Sequence, residues 1–160
     1  MLDLQLQQTT KATVPESDLI YFDHNGSTPT HPAAIRAMMP FLTAGFGNPS
    51  SGHWAADPAK MAIETARSNV ANLIGADPSE IVFTSGATEA NNMAIKGVFA
   101  PGKTQGQHII TSAIEHDAVR KPIACLRAQG VKVTVVPVDE YGIVDPASVF
   151  SAITDKTPLI

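Results

Sequence analysis

Ile81-Val82-Phe83-Thr84-Ser85-Gly86-Ala87-Thr88-Glu89 is the stretch on which the reading of this chain turns. Ile81 to Thr84 are apolar or β-branched and predict a buried strand, while from Thr88 to Gly97 the residues Ala90, Ala94 and Ile95 recur at helical spacing. A strand that passes through small residues straight into a helix makes an anion site. The first backbone N–H groups of a helix have no intrahelical acceptor and carry the positive end of its dipole, so Gly86, Ala87 and Thr88 are candidates to hold a phosphate. Gly86 lets the backbone approach closely, and the Thr88 hydroxyl adds a side-chain hydrogen bond. The competing reading is that Ser85 or Thr88 is a plain N-cap. Neither Gly-x-Gly-x-x-Gly nor Gly-x-x-x-x-Gly-Lys occurs at this turn, which counts against dinucleotide and nucleoside triphosphate ligands.

Working outward, the same alternation of period continues in both directions. After the turn come a strand at His108 to Thr111, a helix through Val119, Ile123 and Leu126 to Gly130 with a break expected at Pro122, and a strand from Val131 to Val138. Asp139 to Gly142 is turn chemistry, and Asp145-Pro146 opens a capped helix towards Ile153. Before it, Asp57-Pro58 opens a helix whose face is Ile63, Ala66, Val70, Leu73 and Ile74 and which Gly75 stops. A helix over 32–44 is predicted from Ile35, Met38, Met39 and Leu42, with Thr30 as its N-cap and the methionines in the core. Leu19 to Phe22 reads as a short strand, and residues 1–17 as a polar tail ahead of a folded region at 18–160. Strands alternating with helices predict an α/β fold with a mostly parallel sheet. Leu159-Ile160 reads as the opening of another strand, so the expectation is that these residues are the front part of a longer protein; a frayed tail is the alternative.

Composition narrows the function classes. The 160 residues are 44% hydrophobic and 16% charged, with a formal net charge of −4 and basic residues scattered from Lys11 to Lys156, so no basic groove for nucleic acid is expected. No apolar run approaches the roughly 20 residues of a membrane span, and the start lacks the pattern of a signal peptide. The single cysteine, Cys125, excludes an internal disulfide within these residues and fits a reducing, cytoplasmic setting. It reads as a small packed apolar residue on its helix rather than a nucleophile. His24, His31, His53 and His108 have no paired metal-ligand spacing, and no metal site is expected.

His116, in Ile114-Glu115-His116-Asp117, follows a strand and so falls at the carboxyl edge of the sheet, where open α/β sheets bind ligands. An imidazole there can stack on a flat cofactor or move protons. A surface or capping histidine is the plainer alternative.

Four stretches, taken together, resemble one family. They are Asp23-His24-Asn25-Gly26-Ser27-Thr28-Pro29, Gly47-Asn48-Pro49-Ser50-Ser51-Gly52-His53, Ile81 to Asn92, and Glu115-His116-Asp117-Ala118-Val119, in this order and spacing. The chain is similar, from about Ile20 onward, to the cysteine desulfurases of the class V aminotransferases, which use pyridoxal 5′-phosphate. The resemblance implies a pyridoxal phosphate-dependent transferase fold, the aspartate aminotransferase-like large domain. It implies that Gly86, Ala87 and Thr88 hold the cofactor phosphate and that His116 stacks on its ring and helps with proton transfer. Asn25, Ser27 and Thr28 would line the substrate side, with the Asn48 to His53 loop at a dimer-facing rim. Such enzymes convert L-cysteine to L-alanine, leave sulfur as a persulfide on a mobile cysteine, and pass it to an acceptor protein, including for iron-sulfur clusters; a homodimer is implied.

The departures are informative. Gly26-Ser27 stands where Ala-Thr is common, and Ala55-Ala56-Asp57 replaces a more usual Gly-Arg stretch. None of Lys11, Lys60, Lys96, Lys103, Lys121, Lys132 or Lys156 sits in the family's Ser-x-His-Lys setting, so the chain alone is expected to be inactive. Selenocysteine lyase is a sibling that these motifs fit equally, and a non-catalytic remnant that binds a phosphorylated ligand is the alternative from another class.

Overall fold

A parallel pair of strands must be joined by a crossover, and residues 108–136 supply one. In the computed structural model, which describes residues 19–99, 102 and 104–160, β1 (His108–Ser112) pairs in parallel with β2 (Lys132–Val136), from His108 opposite Lys132 to Ser112 opposite Val136. The helix between them, α4 (Asp117–Ala128), presents Ala118, Pro122, Ile123 and Leu126 inward, a stripe at the three- and four-residue spacing of one helix face. It packs against α3 (Ala87–Val98). Ile95 and Phe99 from α3 and its end, Ile109 from β1, and Ile123, Leu126 and Val131 close one apolar core, with Val119, Val133 and Leu159 at its margin.

The chain divides into two units, one ending at Pro78 and the other running from Ser79 to Ile160. The second holds α3, β1, α4, β2 and α5 (Pro146–Ala152). α5 starts where Asp145 accepts hydrogen bonds from the Ala147 and Ser148 amides, as its Asp-Pro opening predicts. The apolar terminal residues pair too: Leu159 bridges Ile109 in parallel, and the Ile110 amide donates to the Leu159 carbonyl at 3.2 Å. Between β2 and α5, Asp139 receives the Tyr141 and Ile143 amides and so shapes the expected turn.

The N-terminal end of β1 is closed by a buried histidine that the sequence did not mark. His108 Nδ1 lies 2.7 Å from Thr157 Oγ1 and its Nε2 2.8 Å from Thr134 Oγ1. One ring thereby ties β1 to β2 and to the segment before Leu159.

The first unit contains α1 (Pro32–Thr43) and α2 (Asp57–Ile74), the latter entered through a 3₁₀ turn at Trp54–Ala56 and stopped by Gly75 at φ 71°. A left-handed residue at that position is the C-terminal stop expected of glycine. Gly47 is required for a different reason, since a Cβ there would collide with the Ala55 carbonyl.

Several expectations fail, for definable reasons. Leu19 to Phe22 and Ile81 to Thr84 are not strands: neither belongs to the β1–β2 sheet, Phe22 is 89% exposed and Phe83 49%. Strand propensity becomes a strand only where a neighbouring ladder and a covered face exist. Thr30 does not cap α1; His31 does, its Nδ1 accepting from the Ala33 amide at 3.2 Å. Asp57 is the first residue of α2 rather than its cap. Pro122 does not break α4, which runs unbroken to Ala128 with Pro122 buried against the core. Cys125 is exposed, because it lies about a quarter turn from the middle of the face formed by Ala118, Pro122, Ile123 and Leu126. Met38 and Met39 are about half exposed, as are Ile35 and, more so, Leu73 and Ile74. Ala56 and Ala71, small residues, are the buried ones in this unit. The helical periodicity of α1 and α2 is real, but among the described residues no element covers their large apolar side chains. The polar tail read at 1–17 lies outside the described residues.

The core fixes two outcomes. Ile109 is 1% exposed and Ile123 6%, so truncating either to alanine is expected to destabilise the second unit by about 2–5 kcal/mol, read by urea unfolding. The first turn of α3 has a pH signature as well: the Ser85 amide and hydroxyl hydrogen-bond to Glu89 and hold its carboxyl below the ordinary value. A lowered carboxyl stabilises the fold above its unfolded value and loses that contribution as pH falls through the folded one. Melting of the native chain and E89Q should therefore differ near neutrality and converge in acid.

Candidate functional site

The segment that leads into α3 runs extended through Gly86, whose φ is 160° and ψ −178°, and Gly86 is the N-cap residue of the helix. No side chain caps this helix start: neither Ser85 nor Thr88 supplies the acceptor oxygen that the competing reading required. Instead Glu89 reaches back, its carboxylate accepting from both the Ser85 amide and the Ser85 hydroxyl at 2.7 Å. Thr84 Oγ1 donates to the Gly86 carbonyl at 3.2 Å and Asn92 Nδ2 to the Thr88 carbonyl at 3.0 Å. The turn is thus braced from both sides by its own neighbours.

This bracing divides the donors of the turn. The Ser85 amide is committed to Glu89, whereas Ala87 and Thr88 contribute first-turn amides, which have no acceptor inside a helix. Gly86, Ala87 and Thr88 are all exposed. A Cβ added to Gly86 would meet nothing within 4 Å, so there is open space beside this residue. Amides, a threonine hydroxyl and a glycine beside that space form a cradle suited to a phosphate ester. The donor set therefore fits the phosphate end of pyridoxal phosphate.

His116 is the N-cap residue of α4, four positions beyond the carboxyl end of β1, and it is exposed. Its Nδ1 accepts from the Ala118 amide at 3.1 Å. An acceptor nitrogen carries no proton, so this contact places the hydrogen of the neutral ring on Nε2. The capping role and a ring-stacking role are compatible, because the cap occupies one edge of the imidazole and leaves its faces uncommitted. At the next residue, Asp117 pairs with Arg120, whose Nε lies at 3.1 Å, and with Lys121 Nζ at 3.2 Å. The Arg120 hydrogen bond, followed by that of Lys121, holds the Asp117 carboxyl below its ordinary value. One residue earlier, Glu115 Oε1 accepts from Ser112 Oγ at 2.7 Å. Nothing in the sequence pattern marked that bond.

Gly86 to Thr88 and His116 thus belong to one unit, with α3 packed on α4. Asn25, Ser27 and Thr28 belong to the other. There the loop after Phe22 is held by side chains: Tyr21 OH lies 2.9 Å from Ser27 Oγ, His24 Nδ1 lies 3.1 Å from Thr28 Oγ1, and the Tyr21 and His24 rings meet edge to face at 4.9 Å. The Asp23 carbonyl receives the Gly26 amide at 3.0 Å. In the Asn48 to His53 loop, Asn48 Oδ1 accepts from the Ser50 amide at 2.9 Å. Among the described residues no group of three or more His, Cys, Asp or Glu could hold a metal ion, and no helix is long and apolar enough to cross a membrane.

Comparison with known proteins identifies the family. The profile of the family described as Aminotransferase class-V matches residues 20–160. The cysteine desulfurase IscS of Methanosarcina thermophila is 46% identical over 145 residues, 91% of this chain and 36% of the relative. That of Rickettsia massiliae (strain Mtu5) is 45% identical over 154 residues, 96% of this chain and 37% of the relative. The chain thus spans little more than a third of the length of the curated relatives it matches. Among solved structures, a protein described as NifS-like superposes with a TM-score of 0.80 at 37% identity, over 86% of this chain and 38% of its own. Another, described as SspA in complex with cysteine, gives 0.77 at 40% identity over 86% of this chain and 40% of that one. The α/β fold of these structures is the fold of this chain. With a match across residues 20–160, the chain belongs to the class V aminotransferase family.

Proposed function

We propose that residues 18–160 are the phosphate- and ring-binding portion of a cysteine desulfurase that uses pyridoxal 5′-phosphate. The observation that carries this reading is the open space beside exposed Gly86, the N-cap residue of α3, which is followed in the chain by the first-turn amides of Ala87 and Thr88. The relatives named cysteine desulfurase IscS support the choice within the family.

In this reading the Ala87 and Thr88 amides and the Thr88 hydroxyl hold the phosphate, with Gly86 leaving room for it. His116 lies against the cofactor ring and keeps a proton at Nε2, where it can be given up or recovered while Nδ1 stays bonded to the Ala118 amide. Asn25, Ser27 and Thr28 face the substrate side, the last two fixed by Tyr21 and His24. When bound, the cofactor supplies an electron sink for bonds broken in the amino-acid substrate. The whole enzyme acts on L-cysteine, yields L-alanine, and hands sulfur as a persulfide to an acceptor protein, as in iron-sulfur cluster assembly. It works as a homodimer in the cytoplasm.

The 160-residue chain by itself holds the cofactor without completing the reaction, since no lysine present has the Ser-x-His-Lys setting. Two measurements check this. Equilibrium dialysis should show binding of pyridoxal phosphate that inorganic phosphate competes away and that pyridoxal, lacking the phosphate, does not match. G86V should abolish that binding without unfolding, because its side chain enters the cradle rather than the protein. Equal binding of pyridoxal and pyridoxal phosphate would sink the phosphate assignment. In the second, L-cysteine and pyridoxal phosphate incubated with the chain should release no alanine; measurable release would show that one of its own lysines serves.

A further inference from the structure

The connection from β1 to α4 is four residues long in effect and carries His116 at its end, and it is tied down at three points. The Ala113 amide donates to the Val136 carbonyl at 3.0 Å, pinning the start of the connection to the end of β2. Ser112 Oγ donates to Glu115 Oε1 at 2.7 Å, closing the connection on itself. His116 Nδ1 receives the Ala118 amide at 3.1 Å, fixing the ring. The outer ties are made by β2 and by α4. The middle one is the only one of these three in which both partners are side chains, and its acceptor residue is bonded covalently to His116.

We propose that Glu115 and Ser112 are positioning residues for His116. Their hydrogen bond sets the direction in which the chain enters α4, and with it the geometry of the Nδ1 cap that selects the Nε2–H tautomer. Ser112 is the last residue of β1, held in register opposite Val136, so its hydroxyl is a fixed donor. Glu115 immediately precedes the N-cap, whose extended φ and ψ of −67° and 156° orient both the ring and the first helical amides. Ile114, between them, is 61% exposed and gives the connection little apolar anchoring of its own. Without the Ser112–Glu115 bond the N-cap dihedrals are free to relax, the Nδ1 contact lengthens, and the ring can populate its other tautomer.

The proposal deepens the reading of His116 as the residue facing the cofactor ring, but its test needs no cofactor. Ring ¹⁵N shifts of the ¹⁵N-histidine-labelled chain report the tautomer directly, in solution or, for an assembled sample, under magic-angle spinning; H116Q assigns the signals. The neutral ring is expected almost wholly as Nε2–H. Ser112→Ala and Glu115→Ala should each raise the Nδ1–H share about fivefold, the size expected for losing one hydrogen bond of ordinary strength. Ser112→Thr and Glu115→Gln, which keep the donor and the acceptor oxygen, should restore the native shifts. Asp145→Ala, which removes the cap of α5, should lower the melting temperature and leave the His116 shifts unchanged. Unaltered His116 shifts in both alanine variants, or altered shifts in the α5 variant to the same extent, would overturn the proposal. Failure of pyridoxal phosphate to bind would remove the reading of the site and leave this result standing.

Discussion

The parallel pairing of β1 with β2 is the constraint from which the site follows. Two parallel strands cannot be joined by a tight turn, so the chain must cross over through α4, and a helix that begins after a parallel strand begins at that strand's carboxyl end. His116 is carried to the edge of the sheet by this requirement, whatever its own chemistry. Ile109, on β1, shares one buried cluster with Ile95 of α3 and Ile123 of α4. The helix that follows Gly86 and the helix that His116 caps are therefore held through one shared apolar cluster.

Polar groups near the site do two jobs at once. Glu89 accepts from the Ser85 amide and hydroxyl, which braces the turn ahead of the first-turn amides of α3. His116 uses Nδ1 to cap α4, and that use decides where its proton sits. In each case a local need of the backbone, the unsatisfied amides at a helix start, sets the chemical state of a side chain. Family membership rests on the match across residues 20–160, while the assignment of work to individual residues rests on this local geometry.

The contrast between the two units is physical. In the unit from Ser79 onward, large apolar residues at helix and strand spacing meet one another and close a core. In the unit ending at Pro78, α1 and α2 have equally good periodicity, yet Met38, Leu42, Leu73 and Ile74 remain exposed. Amphipathic spacing says which side chains want cover and nothing about what supplies it. The same limit explains Leu19 to Phe22 and Ile81 to Thr84, which have the composition of strands without belonging to the sheet.

Local grammar was legible in the residues alone. The α/β alternation, the glycine stop at Gly75, the Asp145 cap, the strand at His108 and the helix that follows Gly86 all depend on short-range backbone preferences that a sequence carries explicitly. What only the folded chain decided were pairings between residues that their spacing did not announce. Glu89 with Ser85, Glu115 with Ser112, and His108 between Thr134 and Thr157 are such cases. So were the exposure of Cys125 and the unbroken course of α4 through Pro122, each settled by which face of the helix meets the core. Periodicity is a property of one element, whereas burial and hydrogen-bond partnership are properties of two, and the second is supplied by tertiary structure.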